Sequence, residues 1–137
     1  MRFLFILGII TYALARATQQ GSLFAERSNQ PRHTWLANPN QIHFYGWFEP
    51  IGLAMMYFAL MYRADDNNAL IRYLFVVLAY FVYWLPYALL YCHIRRKDWF
   101  NHNQMYEVGW IKTYLLNKPV SVLYFILSLL TIILLWK

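Results

Sequence analysis

Four apolar runs alternate with polar stretches along the chain, and that pattern predicts four helices. The runs cover residues 3–17, 42–62, 69–94 and 119–136, with connections over 18–41, 63–68 and 95–118. A helix rises about 1.5 Å per residue, so the uncharged run Pro119–Trp136 reaches roughly 27 Å. That is close to the thickness of one hydrocarbon core. Ala69–Ile94 is longer and would cross with tilt. The first run is shorter, roughly 22 Å, with Arg2 and Arg16 placed to reach headgroups through their stems. It lacks the polar face of a helix lying on a membrane, so it reads as a short span. Its length and the triplet Ala13-Leu14-Ala15 also fit a signal peptide. With Met1 at the start of the chain, the segment is expected to be retained.

The second run carries Glu49-Pro50 near its start. The adopted reading is a continuous span over 42–62 kinked at Pro50. The alternative starts the helix at Pro50, with Glu49 beside its free N–H groups. Phe44–Tyr62 and Ala69–Tyr91, joined by the polar turn Arg63–Asn68, read as a helical hairpin. Asp65, Asp66 and Asn67 supply N-cap chemistry for the helix that follows, and Pro86 is expected to bend it. In the third connection, Tyr106, Trp110 and Tyr114 recur every four residues and suggest a helix lying on the membrane surface. The expected fold is therefore an all-α integral membrane protein, a single domain over residues 1–137. It has four transmembrane helices, the first short, and an interfacial amphipathic helix in the third loop.

Composition agrees with this reading. Of 137 residues, 61% are hydrophobic, 20% aromatic and only 13% charged. A soluble domain carries about 25% charged residues, so a single core could not hide this much apolar surface. The net charge of +6 does not imply nucleic acid, because the basic residues lie between apolar runs. The first and third loops hold 8 Lys and Arg, against 4 on the other side. By the positive-inside rule both termini are expected outside the cytoplasm, with the long loops inside. A bacterial inner membrane, or an organellar one, is the expected location. The lone Cys92 excludes an internal disulfide and any Cys-x-x-Cys motif, and no Asn-x-Ser/Thr sequon occurs.

Candidate chemistry is sparse. The four histidines, His33, His43, His93 and His102, fall on one predicted side. His43, His93, His102 and Glu49 are the candidate metal ligands, and two imidazoles from facing helices could ligate a haem. Their spacing matches no His-Glu-x-x-His or paired Glu-x-x-His motif. Glu49 is the acidic side chain inside an apolar run, so it is a functional candidate that needs a partner. Tyr73, Tyr80, Trp84, Tyr87 and Tyr91 recur near a 3.6-residue period and form a stripe for contact with a protein partner or lipid. Gly52, Ala54, Ala79 and Ala88 are small residues without a Gly-x-x-x-Gly motif. No nucleophile motif or phosphate-binding glycine loop is present.

With no complete catalytic constellation, the leading expectation is non-catalytic: a small accessory or assembly subunit on a larger membrane complex. The bilayer and other membrane subunits are its expected partners. No cofactor is expected under that reading. The alternatives are a metal- or haem-dependent redox subunit using His43, His93 and Glu49, and an oligomeric transporter or channel lined by Glu49. A toxin-immunity or inhibitor protein is a further non-enzymatic possibility.

Overall fold

A computed structural model describes residues 1–27, 46–62, 69–94 and 118–136. Over these residues the chain is all-α, with helices α1 (Arg2–Arg27), α2 (Phe48–Met61), α3 (Ala69–Ile94) and α4 (Lys118–Leu135). α3 has the bounds its apolar run predicts. It is the one described helix long and apolar enough to cross a membrane; α2 and the Val122–Leu135 part of α4 are shorter apolar helices. Pro86 lies inside α3. It has no N–H to give the carbonyl of Val82, four residues back. The expected surface helix around Tyr106, Trp110 and Tyr114 lies outside the described residues.

One helix runs past its expected extent. α1 does not stop at Ala17 but continues to Arg27, for 26 residues. Thr18, Gly21 and Ser22 read as the start of a loop because each is a weak helix former or a local competitor for backbone bonds, and Gln19 and Gln20 read so only by their polarity. Here Thr18 returns its hydroxyl to the Leu14 carbonyl at 2.8 Å, so its polar atom is satisfied within the helix. Gly21 lies against Ile94, where a Cβ would meet the isoleucine side chain at 3.1 Å. α3 alongside supplies the packing that overrides local preference.

α2 begins at Phe48, and Pro50 sits in its first turn. The 42–45 part of the expected kinked span lies outside the described residues; just upstream of α2, Gly46 is helical and Trp47 is a turn residue with helical backbone angles. A proline tolerates the first turn, where its missing N–H has no helical partner to lose, but resists a helix continuing through it from upstream. Glu49 in that same turn suits the positive end of the helix dipole.

Successive helices alternate in direction. α1 and α3 run parallel: Phe5 meets Phe75, Tyr12 meets Tyr83, and Gln20 meets Tyr87. α2 runs against α1, pairing Gly8 with Gly52 and Arg16 with Glu49. α4 runs against α3, with Trp136 on Phe75 and Tyr124 on Phe81. The lateral order is α2, α1, α3, α4, because α1 packs extensively on both α2 and α3 while α4 packs on α3. The expected hairpin is thus opened. α2 and α3 are joined through only residues 63–68, yet α1 lies between them.

The buried side chains fall into two clusters. Near the termini, Phe5, Ile9, Ala59, Phe75, Val82 and Ile132 draw all four helices together. Toward the other end, Ala13 and Ala17 of α1 pack on Trp84, Tyr87, Tyr91 and Cys92 of α3. α1 and α2 approach closely at two glycines. A Cβ on Gly52 would lie 2.7 Å from the Tyr12 nitrogen, and one on Gly8 would lie 2.8 Å from the Gly52 carbonyl oxygen. Only glycine at both positions permits that crossing, as is typical where helices associate through close van der Waals contact.

Candidate functional site

Tyr12, Arg16 and Gln20 are spaced i, i+4, i+8 and lie on one face of α1. Tyr83, Tyr87 and Tyr91 repeat the spacing on α3. The two helices run parallel, so the ladders face each other in register. The Tyr12 and Tyr83 rings lie 5.5 Å apart, and Tyr83, Tyr87 and Tyr91 stack in sequence at 5.2 and 5.7 Å. α2 brings Glu49 to the same level from the opposite flank of α1.

Arg16 is the hub of this level. Its Nη1 donates to both carboxylate oxygens of Glu49 at 3.3 Å. The Gln20 amide lies between the guanidinium and the Tyr87 hydroxyl. The orientation that satisfies both neighbours has its oxygen accepting from Arg16 Nε and Nη2 at 3.1 Å and its nitrogen donating to the Tyr87 hydroxyl. One guanidinium therefore ties α1 to α2 through a carboxylate and, by way of an amide, to α3 through a phenol. The contact to Glu49 is longer than the ~2.7–2.9 Å of a tight charge-assisted bond. The Arg16 side chain is 39% exposed and that of Glu49 17%. The pair is neither a fully screened surface bridge nor a dry one.

Register fixes its depth. From Tyr124, which packs on Phe81, α4 runs back six residues to its start at Lys118. Six residues forward from Phe81 is Tyr87. α2 begins beside Arg16. The Arg16–Glu49–Gln20–Tyr87 cluster thus sits at the level where α2 and α4 begin. α1 and α3 run on beyond it, packed through Ala17, Gly21, Tyr91, Cys92 and Ile94.

The residues singled out in the sequence fall as follows. Glu49 has its partner within its own chain. His93 is exposed near the end of α3, while His43 and His102 lie outside the described residues. Among the described residues no group of three or more His, Cys, Asp or Glu gathers. The aromatic stripe divides. Trp84, Tyr87 and Tyr91 are buried against α1, whereas Tyr73 and Tyr80 remain 70% and 45% exposed. Cys92 is buried.

Arg16 and Gln20 were not among the sequence candidates. An arginine closing an apolar run reads as a headgroup anchor, and only the continuation of α1 past it turns it inward. The signal available was the pairing of two lone opposite charges, Arg16 and Glu49, each at the polar end of an apolar run on the same predicted side.

The cluster joins helices; its donors and acceptors are largely spent on one another. Compared with known protein families, with curated proteins and with solved structures, the chain finds no match in any of the three.

Proposed function

We propose that this chain is a small multi-pass membrane protein that serves as an accessory or assembly subunit of a larger membrane complex. The observation that carries this reading is the outer face of α2. Among the described helices, α1 is the one on which that helix packs extensively. It leaves Trp47, Ile51, Leu53, Tyr57, Phe58 and Met61 exposed. A soluble monomer rarely shows a contiguous apolar face of this kind, and such a face marks a protein or membrane contact. Large aromatics within it are the side chains that most often anchor a protein interface.

The membrane setting draws support from three features. Helix directions alternate, as successive crossings require. α3 is long and apolar enough to cross one hydrocarbon core. Arg16 and Glu49 pair at the level where α2 and α4 begin, which keeps the charges at the edge of such a layer rather than its middle, where they cost most. Under this reading both termini share one side, outside the cytoplasm by the balance of Lys and Arg.

The test places a photo-reactive amino acid at Tyr57 in cells expressing the chain at native level. A second variant carries it at Phe75, which is fully buried. Irradiated membranes are resolved under denaturing conditions and adducts identified by mass spectrometry. A specific protein adduct at Tyr57 and none at Phe75 is the expected result. Lipid adducts alone at Tyr57, with a chain that purifies by itself as a single species in mild detergent, would sink the proposal.

A further inference from the structure

The lateral order of the helices poses a physical problem. α2 and α3 are joined through only residues 63–68 and both are strongly apolar, so the default packing is a hairpin of the two. The fold instead seats α1 between them. Close packing alone does not select this order. The Gly8–Gly52 crossing lets two backbones approach, but small-residue contacts carry little directional information. The Ala13 and Ala17 surface of α1 is equally generic. The cluster around Arg16 differs. Its charge is complemented by Glu49 on one flank, and its remaining donors by Gln20, which is held in turn by Tyr87 on the other. Among the described residues α3 offers Glu49 no arginine or lysine at that level: the one it carries is Arg72, near the opposite end of the helix. Polar groups in an apolar interface are best attested as devices that select one packing and register over another.

We propose that the Arg16–Glu49 pair is the specificity device that seats α1 between α2 and α3. It biases the molecule away from a competing arrangement in which α2 folds back onto α3 and α1 is displaced. Arg16 and Glu49 act as positioning residues. Their role is to choose the neighbour of α2, and it is independent of which partner the outer face of α2 meets.

The experiment uses the full chain in its native membrane, with Cys92→Ala removing the natural thiol. Three cysteine pairs report on helix neighbours: Tyr12→Cys with Tyr83→Cys for α1–α3, Tyr57→Cys with Leu74→Cys for α2–α3, and Phe81→Cys with Tyr124→Cys for α3–α4. A short bifunctional thiol reagent links whichever pairs are adjacent. With Arg16 and Glu49 intact, the α1–α3 and α3–α4 pairs link and the α2–α3 pair does not. In Glu49→Gln or Arg16→Gln, the ratio of α2–α3 to α1–α3 linkage is expected to rise about tenfold, while α3–α4 linkage is unchanged. The swap Arg16→Glu with Glu49→Arg is expected to return the ratio toward its original value. Single variants that keep the original ratio would overturn the proposal. So would loss of α3–α4 linkage in parallel, which would make the pair a general stabiliser, or a swap that restores nothing.

Discussion

A guanidinium placed among apolar helices must hand its N–H groups to acceptors, and Arg16 shows how three neighbours share that work. Glu49 neutralises the charge, and Gln20 takes the donors that Glu49 does not reach. Gln20→Leu keeps the side-chain bulk but removes both the acceptor for Arg16 and the donor to Tyr87. It should lower stability by about 1–3 kcal/mol, the cost of leaving such groups unpaired. Tyr87→Phe loses one hydrogen bond and keeps the stacked ring, so it should cost about 1 kcal/mol. Thermal unfolding in detergent, followed by circular dichroism, should therefore rank the melting temperatures as wild type, Tyr87→Phe, then Gln20→Leu. Equal melting temperatures for the two variants would mean that Gln20 serves Tyr87 alone. Part of this cluster is legible in sequence, because an acidic residue in an apolar run demands a partner. The partner's identity is not, since Arg16 lies 33 positions away and looks like the end of its own helix.

At the scale of elements, local pattern locates helices well when the apolar run itself defines them. α3 and α4 form where their runs predict. It fails where a neighbour does the stabilising. Residues 18–27 have loop composition and are nonetheless helical; at the start of this stretch the end of α3 lies alongside, with Ile94 against Gly21. Alongside the Arg16–Glu49 pair, the glycine crossing sets how closely α2 lies on α1. Gly52→Val would drive a Cβ into the Tyr12 backbone, which cannot give way as a flexible side chain would. The helices must part, and the cost should reach or exceed the ~1–3 kcal/mol of an overpacked core. Leu53→Val, one residue further on an exposed face, should stay within about 0.5 kcal/mol of wild type. A melting temperature for Gly52→Val as high as that of Leu53→Val would show that α1 and α2 do not cross where Gly8 and Gly52 meet.

For the molecule as a whole, sequence alone locates the four described helices but not their lateral order, because order depends on which faces match across long separations. Connection length argues for α2 beside α3; the Gly8–Gly52 crossing and the Arg16 cluster join α1 to α2, and α1 then separates the two. Four alternating helices with α1 central require the two chain ends to converge. They do so through aromatic contact, with the Phe5 ring 5.2 Å from Trp136 and both against Phe75. This convergence can be measured without reference to any partner. In a Cys92→Ala background, Phe5→Cys with Trp136→Cys should link through a short bifunctional thiol reagent, and Phe5→Cys with Tyr124→Cys should not. Tyr124 lies about 18 Å back along α4, at the level of Phe81. An impermeant thiol reagent should then reach Arg2→Cys and Leu135→Cys from the same side of sealed vesicles, and reach Trp47→Cys from the other. If Tyr124 linked to Phe5 as readily as Trp136 does, α4 would have to run parallel to α1. The alternation on which the membrane reading depends would then be lost. If instead the links form as expected while Arg2 and Leu135 label from opposite sides, the helix order would survive and the crossings would not.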